Sequence, residues 1–194
     1  MIESTHNPLL KEIRRIQARK VPGRFVAEGE DLLAAAREAG RRPVHLLRAG
    51  VEIDAGTLAK VSGLASGTRE LAVFEERWSE PAGPVCVALW GVKDPGNVGT
   101  VIRSALAFGA GSVVIGPQTA DPYGPKAVRA SMGAIFTVPV ARATELAALP
   151  GATVALDAGA ATDLAGGVPA GPVTFLVGAE RAGLPEAVLA ACDH

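Results

Sequence analysis

A chain of 194 residues with 48% hydrophobic content can build a proper core, as one large domain or two small ones. Its net charge of −1 excludes a globally basic nucleic-acid binder but not a local basic patch. Aromatic residues make up only 4%, so a stacking platform for single-stranded RNA is not written into the composition.

The N-terminus carries Glu3 and His6 and no apolar core segment, so no signal peptide is expected. No apolar run is long enough to span a membrane. Cys86 and Cys192 lie far apart, without metal-ligand spacing, which suits reduced thiols in a cytoplasmic protein and no metal site.

Over residues 1–24, Lys11, Arg14, Arg15, Arg19, Lys20 and Arg24 face only Glu3 and Glu12, a net charge of 6 − 2 = +4. Leu9, Leu10, Ile13 and Ile16 recur at helical spacing, which predicts an amphipathic helix with a cationic face. That face is either an RNA contact or an ordinary solvated surface. A strand and turn follow at Arg24–Gly29, then a helix at Asp31–Ala39 closed by Gly40. A strand is expected at Pro43–Leu47, a short helix at Thr57–Val61 and a strand at Thr68–Phe74. The alternation indicates a small α/β unit of three or four strands. Residues 75–84, with four charges, two prolines and a glycine, read as a linker.

The run Val85–Trp90 reads as a buried strand, followed by a loop with Gly91, Pro95, Gly96 and Gly99. A helix is expected from Val98 to Phe108, capped by Asn97 and ended by Gly109. Its side chains are almost all apolar, so it reads as buried nearly all round, with Arg103 its only charge. Helical side chains lean toward the N-terminus, so Arg103 reaches back over Thr100 and Gly99 toward Asn97 and the loop. With the free N–H groups of the helix start, this suits a phosphate. The alternative is that Arg103 pairs with a carboxylate in the core or at an interface.

Ser112–Ile115 reads as the next strand. A helix near Pro125–Ser131 carries Lys126 and Arg129 on one face, as a phosphate clamp or simply solvated. Phe136–Val138 is expected as a strand, Ala143–Leu149 as a helix and Thr153–Leu156 as a strand. Asp157–Ala160 then forms the loop at that strand's carboxyl end. Val173–Val177 is the last strand. Such alternation calls for a parallel sheet with helices on both faces. The glycine-rich loop is neither a Walker A loop nor a dinucleotide fingerprint. Glu180, just past the last strand, is a candidate for chemistry, or else a helix-start carboxylate or a partner for Arg181.

The segment Asn97–Ala105 resembles the first motif of the SpoU (TrmH-like) RNA 2'-O-ribose methyltransferases, a branch of the SPOUT superfamily. Leu176–Leu184 resembles the second motif, and Asp121–Ala134 the segment that joins them. The resemblance implies a small L30e-like α/β RNA-binding domain over 1–74, a linker over 75–84 and a SPOUT-type parallel-sheet domain over 85–194. It implies S-adenosylmethionine as cofactor and methylation of a ribose 2'-hydroxyl, with ribosomal RNA favoured over transfer RNA. It places catalysis on Asn97, Arg103 and Glu180, and the cofactor at Gly178 and Ala179 with Leu156 and Asp157 nearby. RNA contacts fall to Arg14, Arg15, Arg19, Arg24, Lys126 and Arg129. The full-length form is expected to be a homodimer. One departure stands out: the sequence ends at Ala191–His194, before the family's third motif, so the trefoil knot is expected to be incomplete. A non-catalytic RNA-binding protein on the same scaffold is the alternative.

Overall fold

The computed structural model describes residues 1–64 and 67–194 and contains two sheets. The first is antiparallel, with β3 (Glu70–Glu75) between β1 (Arg24–Glu28) and β2 (His45–Arg48). Both of its faces are covered, and strand alternation assigns the residues. Val26, Leu71 and Val73 pack against α1 (Pro8–Gln17) and α3 (Ala55–Ala59) through Leu10, Ile13, Ile16 and Leu58. Phe25, Ala27, Ala72 and Phe74 point the other way, toward α2 (Glu30–Glu38) and the second half of the chain. Helix α1 starts where the sequence dictates: Asn7 accepts the Leu9 N–H at 2.9 Å, and Pro8 occupies the first turn.

The second sheet is all parallel, in the order β6-β5-β4-β8-β7. The strands are β4 (Val85–Leu89), β5 (Ser112–Ile115), β6 (Val140–Arg142), β7 (Ala152–Leu156) and β8 (Val173–Val177). Leu89, Val113 and Ile115 face α4 (Pro95–Phe108) and α5 (Pro125–Ala130). Ala88, Val114 and Leu176 face a thinner layer, made by a single 3-10 turn at Leu146–Ala148 and the short α6 (Glu186–Leu189). Helices α4 and α5 lie so close that a Cβ on Gly99 would fall 2.3 Å from the Ala127 carbonyl oxygen. That position is closed to any larger residue.

The two sheets share one apolar core. Phe25 lies 5.0 Å from Tyr123 and 5.8 Å from Phe136, centroid to centroid. At the same junction Arg19 bonds Glu76 at 2.5 Å, Asp121 at 2.6 Å and the Arg24 carbonyl at 2.6 Å. Burial opposes the charge on Arg19, but the two carboxylates outweigh it and raise its pKa. The connecting residues 76–84 are bound along the sheet: Ser79 donates to the Val140 carbonyl at 2.8 Å. Trp78 meets Tyr123 edge-on, and its Nε1 donates to Glu76 at 3.0 Å.

Four expectations are corrected. Helix α4 begins at Pro95, not Val98, and its N-cap is Asp94, which accepts the Gly96 N–H at 2.6 Å; Asn97 sits in the first turn. The helix is not buried all round: Val98, Ile102 and Ala105 face the core, while Leu106 and Phe108 are exposed, Phe108 at 89%. Phe136–Val138 is not a strand. A 3-10 turn occupies Ala134–Phe136 after Gly133 (φ +93°), and the strand begins beyond Pro139. The helix expected over 143–149 shrinks to the turn at Leu146–Ala148, and no full helix covers that face of the sheet among the described residues.

Candidate active site

In an open parallel sheet the chain turns in opposite directions from neighbouring strands at one point, and a crevice opens there at the carboxyl ends. Here that point lies between β4 and β8, because β5 and β6 extend one way from β4 while β8 and β7 extend the other. The segments that follow β4 and β8 are the two motif-bearing stretches. Parallel pairing of Leu89 with Val177 brings them side by side.

After β4, Asp94 caps α4 and binds Lys126 Nζ at 2.9 and 3.1 Å. The Lys126 hydrogen bond, with the Gly96 N–H next, holds the Asp94 carboxyl below its ordinary value. After β8, Ala179 and Gly183 exchange backbone hydrogen bonds of 3.0 and 2.9 Å and pinch off a tight loop. A Cβ on Gly178 would fall 2.2 Å from the Gly183 carbonyl carbon. Gly178 is therefore required by its own loop. The loop presents the exposed Glu180, whose carboxylate accepts a hydrogen bond from the Asn97 side-chain amide.

Arg103 lies on the solvent side of α4 with Thr100 and Ser104. No carboxylate is within ion-pair distance of it among the described residues. The internal acid that would have neutralised it is absent there. Its exposure also removes the reason for calling it a buried charge.

Leu156 and Asp157, at the end of β7, line a cavity of about 680 Å³ with Val154, Leu164, Val168 and His194. Size and lining fit a nucleoside: aliphatic walls for a base and a carboxylate for hydroxyl or ammonium groups. Gly178 and Ala179 do not line it, although Leu156 pairs with Val177 in the adjacent strand.

The six expected RNA cations divide. Arg15 is exposed and free of carboxylate partners among the described residues, and Arg14 donates to the Thr5 carbonyl at 3.3 Å. Arg24 is paired with Glu12 at 2.8 Å and Arg19 is engaged at the junction. Lys126 turns to Asp94, while Arg129 lines a separate cleft of about 610 Å³ with Glu28, Asp31 and Arg69. Lys126 and Arg129 thus do not form one clamp. Asp94 escaped the sequence reading, although Asp-Pro at a helix start is the usual cap signal.

The site thus combines a parallel α/β sheet, a polar pair at its switch point and a cavity of nucleoside size at the end of β7. Residues 84–194 match the SpoU rRNA Methylase family, and the chain belongs to that family and to the SPOUT class. It is 35% identical over 112 residues to a 23S rRNA (uridine(2479)-2'-O)-methyltransferase from Streptomyces viridochromogenes, covering 52% of this chain and 39% of that protein. An uncharacterized tRNA/rRNA methyltransferase from Synechocystis is 28% identical over 165 residues, covering 71% of this chain and 60% of its own length. The chain thus spans less than two thirds of these relatives. The crystal structure of an AdoMet-bound rRNA methyltransferase from Sinorhizobium meliloti superposes with a TM-score of 0.86 at 29% identity, over 98% of this chain and 85% of that one.

Proposed function

We propose that the protein transfers a methyl group from S-adenosylmethionine to a ribose 2'-hydroxyl of RNA, with ribosomal RNA the favoured substrate. The observation that carries this reading is the Asn97–Glu180 hydrogen bond at the switch point, on the helix that also presents the exposed Arg103. The names of the relatives from Streptomyces and Sinorhizobium support it.

When bound, S-adenosylmethionine supplies an electrophilic methyl group. Leu156 and Asp157 would hold its nucleoside in the cavity beside β7, with Gly178 and Ala179 shaping the neighbouring strand end. The protein must align the 2'-oxygen and ease loss of its proton. A guanidinium offers donors and no acceptor, so the part of Arg103 is to grip an RNA phosphate and stabilise the developing alkoxide. Glu180 fixes the Asn97 amide, which orients the ribose. Arg14 and Arg15, on the first 74 residues, supply phosphate contacts for an RNA-docking unit. Exposed Phe108 and Leu106 on α4 suit a homodimer, which light scattering of the purified protein would reveal.

The test is methyl transfer from labelled S-adenosylmethionine to ribosomal RNA, with ribose-methylation mapping to find the nucleotide. Transfer should occur with the parent and fall by about 10²–10³-fold with Arg103→Ala. Saturable RNA binding without cofactor binding or transfer would instead identify a non-catalytic RNA binder.

A further inference from the structure

Trp78 and Arg142 form a stacked pair that the proposed chemistry does not use. Ser79 bridges Ala141 in parallel, which places Trp78 and Arg142 diagonally on one face of the sheet. The Arg142 Cζ lies 3.6 Å from the Trp78 ring centroid. The indole is held by its 3.0 Å bond to Glu76 and its edge contact with Tyr123, so the guanidinium lies over a fixed ring. The Arg142 side chain is exposed, with no side-chain hydrogen bond and no carboxylate within ion-pair distance among the described residues. Both residues line a groove of about 340 Å³ with Ile115, Pro117, Thr119 and Thr144.

The groove sits at the carboxyl ends of β5 and β6. All strands of this sheet are parallel, so the groove shares an edge with the Asn97 loop after β4. The separation is one to two strand spacings, about 5–10 Å, the reach of a neighbouring nucleotide. Two of its other polar side chains are already engaged, and the third, Thr144, is exposed. Asp121 accepts from Arg19 and the Tyr123 N–H, and Thr119 donates to the Leu89 carbonyl. The free elements are a flat cationic plane, its N–H edge and the Thr144 hydroxyl. That combination takes a planar ring with hydrogen-bond acceptors and an adjacent phosphate.

We infer that this groove is a docking site for an unpaired nucleobase of the RNA, next to the nucleotide whose ribose is methylated, stacked on the Arg142 guanidinium. The inference rests on the RNA methyltransferase reading. A protein with few aromatic residues can stack a base in this way, because the guanidinium plane substitutes for a ring.

The probe is a fluorescein-labelled oligoadenylate dodecamer, titrated into the full chain and into Arg142→Ala and Arg142→Lys. Arg142 is exposed, so both variants should fold, as checked by thermal melting. Arg142→Ala should weaken binding by about tenfold. Arg142→Lys should lose nearly as much, because an ammonium keeps the charge but has no plane. With ribosomal RNA, Arg142→Ala should raise KM and leave kcat close to the parent. The inference is overturned if the parent binds no oligoadenylate, or if either variant binds it as tightly as the parent. Absence of methyl transfer by a parent protein whose oligoadenylate binding depends on Arg142 would instead overturn the enzymatic reading and leave the groove standing.

Discussion

Asn97 donates its side-chain amide to the Glu180 carboxylate and so joins the first turn of α4 to the loop after β8, across 83 residues of chain. The contact depends on β4 and β8 being neighbours, with Leu89 opposite Val177. If the pair acts as one device, Asn97→Ala and Glu180→Ala should each lower methyl transfer by about 10²-fold. The double variant should fall little further, since residues acting as a unit are not additive. Glu180→Gln keeps an acceptor for the amide and should fall less. Multiplicative losses in the labelled-methyl assay would show that the two residues act separately.

The Arg103 side chain is exposed and makes no hydrogen bond among the described residues, so folding does not depend on it. Arg103→Ala should leave the melting temperature within about 2 °C of the parent. Methyl transfer should drop by about 10²–10³-fold, the cost of losing one donor to a developing oxyanion. Arg103→Lys should recover part of it. A large fall in melting temperature would mean that Arg103 holds the fold.

Arg19 and Arg15 look alike in sequence as members of one basic helix and its exit, yet they should behave differently. Arg19 neutralises Glu76, whose side chain is 6% exposed. Arg19→Ala leaves that carboxylate buried without a counter-charge, with only the Trp78 N–H as a partner, which should cost about 2–3 kcal/mol, below the fully buried range because Arg19 is partly exposed. The melting temperature should drop by about 4–12 °C. Arg15→Ala should melt like the parent but bind RNA with a shallower salt dependence. Equal stability of the two variants would show that the junction does not rely on Arg19.

That contrast marks what was legible in the sequence. Leu10, Ile13 and Ile16 announced α1 because spacing alone puts them on one face, and all three are buried. The apolar run of α4 announced a helix but misplaced Arg103. Leu106 and Phe108 mimic core residues, and only the arrangement of the sheets leaves them outside. Phe136 and Val138 are both buried, so hydropathy could not separate a strand from the 3-10 turn that Gly133 starts. The two motifs were readable as local patterns. Their meeting was not, because it needs the strand order. Trp78 and Arg142 lie 64 positions apart and carry no local pattern at all.

Gly178 is a test of how the Glu180 loop is held. A methyl group there would sit 2.2 Å from the Gly183 carbonyl carbon and 2.4 Å from the Leu184 nitrogen, both backbone atoms. Gly178→Ala must therefore push the loop away, at a cost of about 1–3 kcal/mol. The displaced Glu180 should lose Asn97, so methyl transfer should drop as far as in Glu180→Ala. Unchanged melting and unchanged transfer would show that the 179–183 loop is not packed this tightly in solution.

Asp94 supplies a pH signature for the start of α4. Its carboxyl is held below the ordinary 3.8, first by Lys126 and then by the Gly96 N–H. A carboxylate depressed in the folded state stabilises above its unfolded value and loses that contribution as pH falls through the folded one. The cap is therefore complete at neutral pH and fails only below 3.8. Asp94→Ala should melt about 2–4 °C below the parent. That deficit should stay flat over roughly pH 5–8 and shrink only in stronger acid. A deficit that changed between those two values would assign the titration to another group and leave Asp94 without its role at the helix start.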